Sequence, residues 1–253
     1  MEILFNGLNL NDAVNYFVET SDHENTAKPD INVQKIARTN ESLFLRRNYG
    51  IRTIKMTVII KDTTRELLDT RIDDFKQTIE SEEKNLDIEY ASDTRRYICS
   101  GFVEKVERYL KWARIEVKFE CYKAFGEDTT STTESFAGKT TSPYTDDIEI
   151  EGTAPAQPDI QITINSLTAS STKFMQLKNL NTLDYVKITL DDWTADDVII
   201  ISIKNKTVSR NGTIIEYLGI MPIWYPGDNN WEYTDDFDAR NVDIVFSYKK
   251  KYL

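Results

Sequence analysis

Four groups of residues carry side chains that could do chemistry. His23 is the single histidine, so any Ser-His-Asp or Cys-His site would have to be built on it. It lies in Ser21-Asp22-His23-Glu24-Asn25, a polar stretch, where a solvated loop histidine is expected. Cys99 and Cys121 are the two cysteines, too few for a disulfide framework or a four-cysteine zinc site. A hairpin with its turn near residues 109–111 would set them opposite each other. They then read as two buried thiols in a reducing cell, with a cross-strand disulfide as the alternative.

The third group is paired carboxylates: Asp191/Asp192, Asp196/Asp197 and Asp235/Asp236/Asp238. A retaining glycosidase needs two carboxyls about 5–5.5 Å apart across a cleft. Neighbouring Asp residues in turns more commonly cap or solvate the turn, and these lack the spacing and the glycine of an EF-hand. The fourth group is the aromatic run 223–233, with Trp224, Tyr225, Trp231 and Tyr233. It reads as sandwich core and turn, or as a stacking platform for sugars. No G-x-G-x-x-G, Walker A or G-x-S-x-G pattern occurs among the nine glycines. The expectation is no catalytic residue, no cofactor and no metal.

The elements that must position these residues follow from periodicity. Leu68, Ile72, Phe75 and Ile79 fall on one helical face opposite Arg65, Asp69, Asp73, Lys76 and Glu80, so a helix is expected over 64–82. Thr63 and Glu66 fit a capping box at its start. In 54–61 the even positions are apolar, and 113–121 alternates without a break, as half-buried antiparallel strands do. Residues 95–121 read as a long hairpin. Later, 160–164, 185–190, 198–203 and 242–248 read as short strands between turn signals such as Asn211-Gly212, the pattern of a β-sandwich. The Ser/Thr-rich stretch 129–144 reads as a linker or long surface loop, dividing domains at 1–133 and 134–253. The fold class is therefore mainly β with one long α-helix.

Composition bounds the function. The 253 residues carry a net charge of -11. Residues 1–126 are nearly balanced at -2, and 127–253 hold the excess at -9. Basic clusters are few, at Arg46-Arg47, Arg95-Arg96 and Lys249-Lys250-Lys251, which argues against a nucleic-acid duplex site. The first residues lack a basic region before a short apolar run, and no stretch approaches the roughly 20 apolar residues of a membrane span. A soluble protein made in a reducing cytoplasm is expected.

Several stretches resemble, in order, the distal tail proteins of long-tailed, non-contractile bacteriophages, the Dit family. They are Phe5-Asn6-Gly7, then Arg46-Arg47-Asn48-Tyr49-Gly50 before the 51–60 strand, and Arg95-Arg96-Tyr97-Ile98-Cys99 opening the hairpin. The hairpin closes on Phe119-Glu120-Cys121-Tyr122-Lys123-Ala124-Phe125, with Ala124 where the family usually has proline. After it come 148–158, then Pro226-Gly227-Asp228-Asn229, then a Tyr248 to Leu253 tail.

The resemblance implies a short family member without an inserted carbohydrate-binding module. Its N-terminal domain would be a tail-tube-like β-sandwich with helix and hairpin. Its C-terminal domain would be a galectin-like β-sandwich, whose last residues can return to the first domain. It implies a homo-hexameric ring, single or stacked in two, at the virion tail tip, made in the host cytoplasm. Its partners would be the major tail tube protein, the tail-tip protein and a receptor-binding protein. DNA would cross its channel without specific binding, helped by an acidic lumen that repels phosphates, with no membrane involved. Arg46, Arg47, Arg95 and Arg96 are the expected inter-subunit contacts. The alternative is a lectin-like receptor-binding module.

Overall fold

The computed structural model describes residues 1–27, 29–35, 42–168 and 171–253, those at 29–35 and 42–48 by their backbone only. The chain divides into two compact units, Met1–Thr129 with Leu253, and Thr130–Tyr252. The fold is mainly β, with one helix among the described residues, as expected.

The first unit holds β1 (Ile3–Phe5), β2 (Leu8–Asn9), β3 (Tyr16–Ser21), β4 (Pro29–Lys35), β5 (Ser42–Tyr49), β6 (Arg52–Lys61), α1 (Arg65–Ile79), β7 (Lys84–Glu89), β8 (Thr94–Arg108), β9 (Trp112–Cys121) and β10 (Gly126–Asp128). Its antiparallel sheet runs β2-β1-β7-β8-β9-β6-β3, with β10 also on β8 and with β4 and β5 paired as a separate hairpin. The alternation in β9 puts Ala113, Ile115, Val117, Phe119 and Cys121 in the core. They share it with Ile54, Met56, Val58 and Ile60 of β6 and with the helix face Leu68, Ile72, Phe75 and Ile79. A Cβ on Gly101 of β8 would lie 2.4 Å from the carbonyl oxygen of Ile79, so the helix end reaches the sheet only over a glycine.

The helix departs from expectation at both ends. It stops at Ile79, not 82, with Glu80 as its C-cap and Glu83 at φ 52°, outside the helical region. Its N-cap is Thr64, whose hydroxyl accepts from the Leu67 amide at 3.3 Å, so the Thr63/Glu66 capping box does not form. Asp62 accounts for the shift: it accepts from the Thr63 amide at 2.7 Å and from Arg71 at 2.8 Å, holding the chain extended one residue longer.

The second unit holds β11 (Thr132–Lys139), β12 (Tyr144–Ile150), β13 (Asp159–Thr168), β14 (Lys173–Asn179), β15 (Tyr185–Leu190), β16 (Val198–Ser202), β17 (Thr207–Arg210), β18 (Thr213–Ile215), β19 (Leu218–Gly219), β20 (Gly227–Asp235) and β21 (Ala239–Tyr248). Two sheets, β11-β21-β13-β16-β17-β18 and β12-β20-β14-β15-β19, enclose one core. The stretch expected as a linker or loop is in part β11, a strand paired along β21. Its threonines are β-branched and suit a pleated surface, and Phe136 packs against the core. Polar composition hid an edge strand, which needs apolar residues on one face only.

Candidate interaction surfaces

The expected chemistry dissolves into structure. His23 is not a solvated loop residue: it is 7% exposed, with Ser21 Oγ 2.8 Å from its Nδ1 and the Tyr90 ring edge-on at 5.6 Å. Burial holds its pKa below the ordinary value, so it is neutral at pH 7. Its carbonyl accepts from Arg52 at 2.5 Å, and Arg52, itself buried, lies 4.8 Å from the centre of the Tyr97 ring. Long-range packing on Arg52 and Tyr90 buries the histidine, and no local pattern announces it.

Cys99 and Cys121 are directly opposite in the β8–β9 register, as the hairpin reading expects. Both are buried free thiols, with sulfurs 2.7 Å apart. Burial drives the Cys99 thiol far above its usual range, and a thiol that does not ionise is a poor nucleophile.

The carboxylates hold turns. Asp197 is buried and takes Arg210 at 2.8 Å, the Thr194 amide at 2.8 Å and Asn211 Nδ2 at 2.9 Å. Asp192 takes the same Arg210 at 2.6 Å. Asp235, also buried, takes Arg240 at 2.6 Å and the Phe237 amide at 2.9 Å, and Asp236 accepts from the Phe174 amide. Among the described residues no group of three His, Cys, Asp or Glu side chains is arranged to hold a metal.

The arginine clusters fall on strands. Arg95 and Arg96 are successive on β8 and face opposite ways. Arg96 makes a two-pronged pair with Asp87 of β7, both bonds 2.7 Å. Arg95 reaches Asp93 at 3.2 Å and lies over the Tyr90 ring at 3.8 Å. Arg46 and Arg47 are on β5, opposite Asn32 and Ile31 of β4, and their side chains lie outside the described residues. The structure brings Arg95 and Arg96 each to a carboxylate of their own unit.

The exposed face of the first sheet is laced with charge. Lys55 pairs with Glu104, Arg114 with Glu19, Lys118 with Glu120 and Lys105 with Glu107. Exposed ion pairs of this kind add little stability, about 0–1 kcal/mol each. They do make a surface that is polar, patterned and nearly neutral.

In the second unit Trp224, Trp231 and Tyr233 are fully buried, which assigns the aromatic run to the core and leaves Tyr225 as its exposed ring. The two sides of the sandwich differ. At one, the edge strands β11 and β12 carry Glu134, Asp147 and Glu149, with Glu151 just beyond. Burial, and then the charges of Glu149, Asp147 and Glu151, raise the pKa of Glu134. At the other, β18 exposes Ile214 and β19 Leu218, with Ile220 just beyond, at 70%, 64% and 68%. Sequence reading missed both edges. Apolar residues read as core, and the convergence of four carboxylates from two strands is a property of the fold.

Comparison with solved structures gives the fold a precedent. The chain matches the crystal structure of the phage SPP1 Dit protein (gp 19.1), a paradigm of hub adsorption apparatus in Gram-positive infecting phages. The match covers 100% of this chain and 99% of that one, at TM-score 0.73 and 15% identity. Two structures of the phage p2 baseplate in its activated conformation, with Sr and with Ca, align at TM-score 0.42 and 9% identity, over 97% of this chain and 96% of those. No family model and no curated protein matches the sequence. The chain has the fold of SPP1 Dit from end to end.

Proposed function

We propose that this chain is a structural hub of a bacteriophage tail tip. Six copies would form a ring joining the tail tube to the tail-tip protein, with a channel through which DNA passes. The observation that carries this reading is the end-to-end likeness to SPP1 Dit, over 100% of this chain and 99% of that one. It is a reading as a non-enzymatic assembly protein located in the virion tail.

A ring needs head-to-tail contacts that close. Open sheet edges and a patterned charged face suit that task, because an unpaired edge templates a strand and opposed charges set register. In the first sheet β3 and β2 are the ends of the strand order, and β3 bears a bulge between Val18 and Thr20. Arg46, Arg47, Arg95 and Arg96 are the cations of the inter-subunit contact in this reading. Arg95 and Arg96 would enter it already oriented by Asp93 and Asp87.

Electron microscopy of the purified protein tests the reading. Rings with an open channel, and a native mass of six or twelve chains, are expected. A monomer or trimer with measurable glycan binding would instead favour the lectin-like alternative. Arg46→Glu/Arg47→Glu should dissolve the ring. Intact rings by light scattering would remove those residues from the contact.

A further inference from the structure

The charge-poor edge of the second unit has the anatomy of half an interface. Between Thr213 and Tyr225 the one charged residue is Glu216, and 218–225 carries none. Yet Ile214, Leu218 and Ile220 stand in solvent, joined by Ile223 at 46% and Tyr225 at 49%. Exposed apolar residues are ordinary when scattered, but five fall within twelve positions here, Ile214 on β18, Leu218 on β19 and Ile220, Ile223 and Tyr225 in the segment after it. Tyr185 adds its ring: it lies against Gly219, where a Cβ would come within 3.0 Å of the ring and 2.1 Å of the Tyr185 carbonyl.

Lysines rim this patch. Lys187 is directly opposite Leu218, and Lys178 is directly opposite Tyr185, so all four side chains share the outer face of that sheet. Lys206 lies on the turn whose carbonyl accepts from Tyr217 Oη at 3.4 Å, and Lys204 is two residues before it. None of the four lysines makes an ion pair among the described residues; Lys187 rests over the Phe174 ring. In a chain of net -11 this is a local cluster of four lysines against Glu216, Asp184 and Glu232, the last directly opposite Lys178.

We propose that this edge docks a partner protein through an apolar strand or loop flanked by carboxylates, laid along β18 and β19. Strand addition would satisfy the open backbone edge, the apolar residues would supply the buried centre, and the lysines would select acidic flanks. A second copy of this chain is the poorer occupant. Pairing this edge with itself sets lysine against lysine, and the acidic edge at β11 and β12 offers no exposed large apolar residue.

The test uses the full chain and two blocked peptides, (Glu-Val)4 and (Lys-Val)4. The acidic peptide should bind about tenfold tighter, lose that advantage in about 1 M salt, and slow amide exchange at 213–220. Lys187→Glu/Lys206→Glu should reverse the preference, and Leu218→Glu/Ile220→Glu should abolish binding, both with unchanged urea unfolding. Equal binding of the two peptides, no binding of either, or protection at another edge overturns the proposal. So does a dimer of the chain that Leu218→Glu/Ile220→Glu dissolves, since the occupant would then be a second copy. The proposal does not rest on the hub reading: these variants should leave ring formation untouched, and a wild-type chain without rings sinks only the hub.

Discussion

The two edges of the second sandwich solve one physical problem in opposite ways. Each ends two sheets and so presents unpaired backbone donors and acceptors. At the first edge β12 turns Asp147 and Glu149 outward, β11 turns Thr133, Ser135 and Ala137 outward and keeps Glu134 half-buried on the side of Phe136, and the strands are pinned from inside by aromatics; burial, and then the charges of Glu149, Asp147 and Glu151, raise the pKa of Glu134. Trp231 lies 5.0 Å from Phe136 of β11 and 5.6 Å from Tyr144 of β12. At β18 and β19 the outward residues are apolar, and β18 is held at the Asn211-Gly212 turn by the ion pair of Arg210 with buried Asp197. Like charge repels any strand that approaches the first edge in the same register. The second edge is short, three and two residues, is rimmed by lysines, and keeps an adhesive apolar surface. One edge is therefore built to stay alone and the other to be covered.

The largest expected break in this contrast comes from Trp231→Ala. The side chain is fully buried, and truncating a buried tryptophan costs about 3–5 kcal/mol. Because its ring contacts reach both acidic-edge strands, amide exchange should accelerate at β11 and β12 before it does at β17 and β18. Uniform acceleration would mean that the two edges share one anchor.

The converse break is Asp197→Ala, which strands the Arg210 guanidinium with only the exposed Asp192 as counter-charge. A loss of about 3 kcal/mol in urea unfolding is expected, because removing one partner leaves a desolvated charge uncompensated. Its pH dependence has a defined sign. Burial alone would raise the Asp197 pKa, but Arg210, the Thr194 amide and Asn211 hold it below its ordinary 3.8. A depressed carboxylate stabilises the fold fully above its unfolded value and loses that contribution as pH falls through the folded one. The gap between wild type and variant should be flat from pH 7 to about 5 and close below about 4. A gap that persists in acid would make Asp197 a steric and not an ionic anchor.

These devices differ in how much of them could be read from sequence. The helix face Leu68, Ile72, Phe75, Ile79 and the alternation of 113–121 are periodic, and periodicity reports burial directly, so both were legible. So was the opposition of Cys99 and Cys121, although the pairing beside the turn, Arg108 with Ala113, reaches it only through a one-residue register shift between Val103 and Lys105 that periodicity does not announce. His23 was not legible: its burial depends on Arg52, 29 residues away, and on Tyr90. β11 was misread because an edge strand over one core face needs few apolar residues. The docking edge is the deepest omission. Ile214 and Leu218 have the composition of a core strand, and the position of β18 and β19 at the ends of their sheets exposes them, with Ile220 just beyond β19.

The finest probe of the contrast is Glu134→Gln on the acidic edge. Burial and the neighbouring Glu149, Asp147 and Glu151 raise this carboxyl above its ordinary 4.5, so the folded protein binds the proton more tightly than the unfolded chain does. Its contribution therefore runs opposite to that of Asp197: stability falls as pH rises from the unfolded value through the raised folded one, and the cost is complete above it. Glutamine keeps the shape and removes the charge, so the variant should be the more stable protein at pH 7, by less than about 1 kcal/mol for a half-exposed site. That advantage should shrink as pH is lowered into the titration of Glu134, and shrink again in salt, which screens the repulsion. The same variant weakens the charge that keeps the edge alone, so concentration-dependent association should rise at β11 and β12 while β18 and β19 are unaffected. A variant less stable than wild type at pH 7 would show that Glu134 is held by contacts stronger than the repulsion, and the acidic edge would lose its claim to be built for solitude.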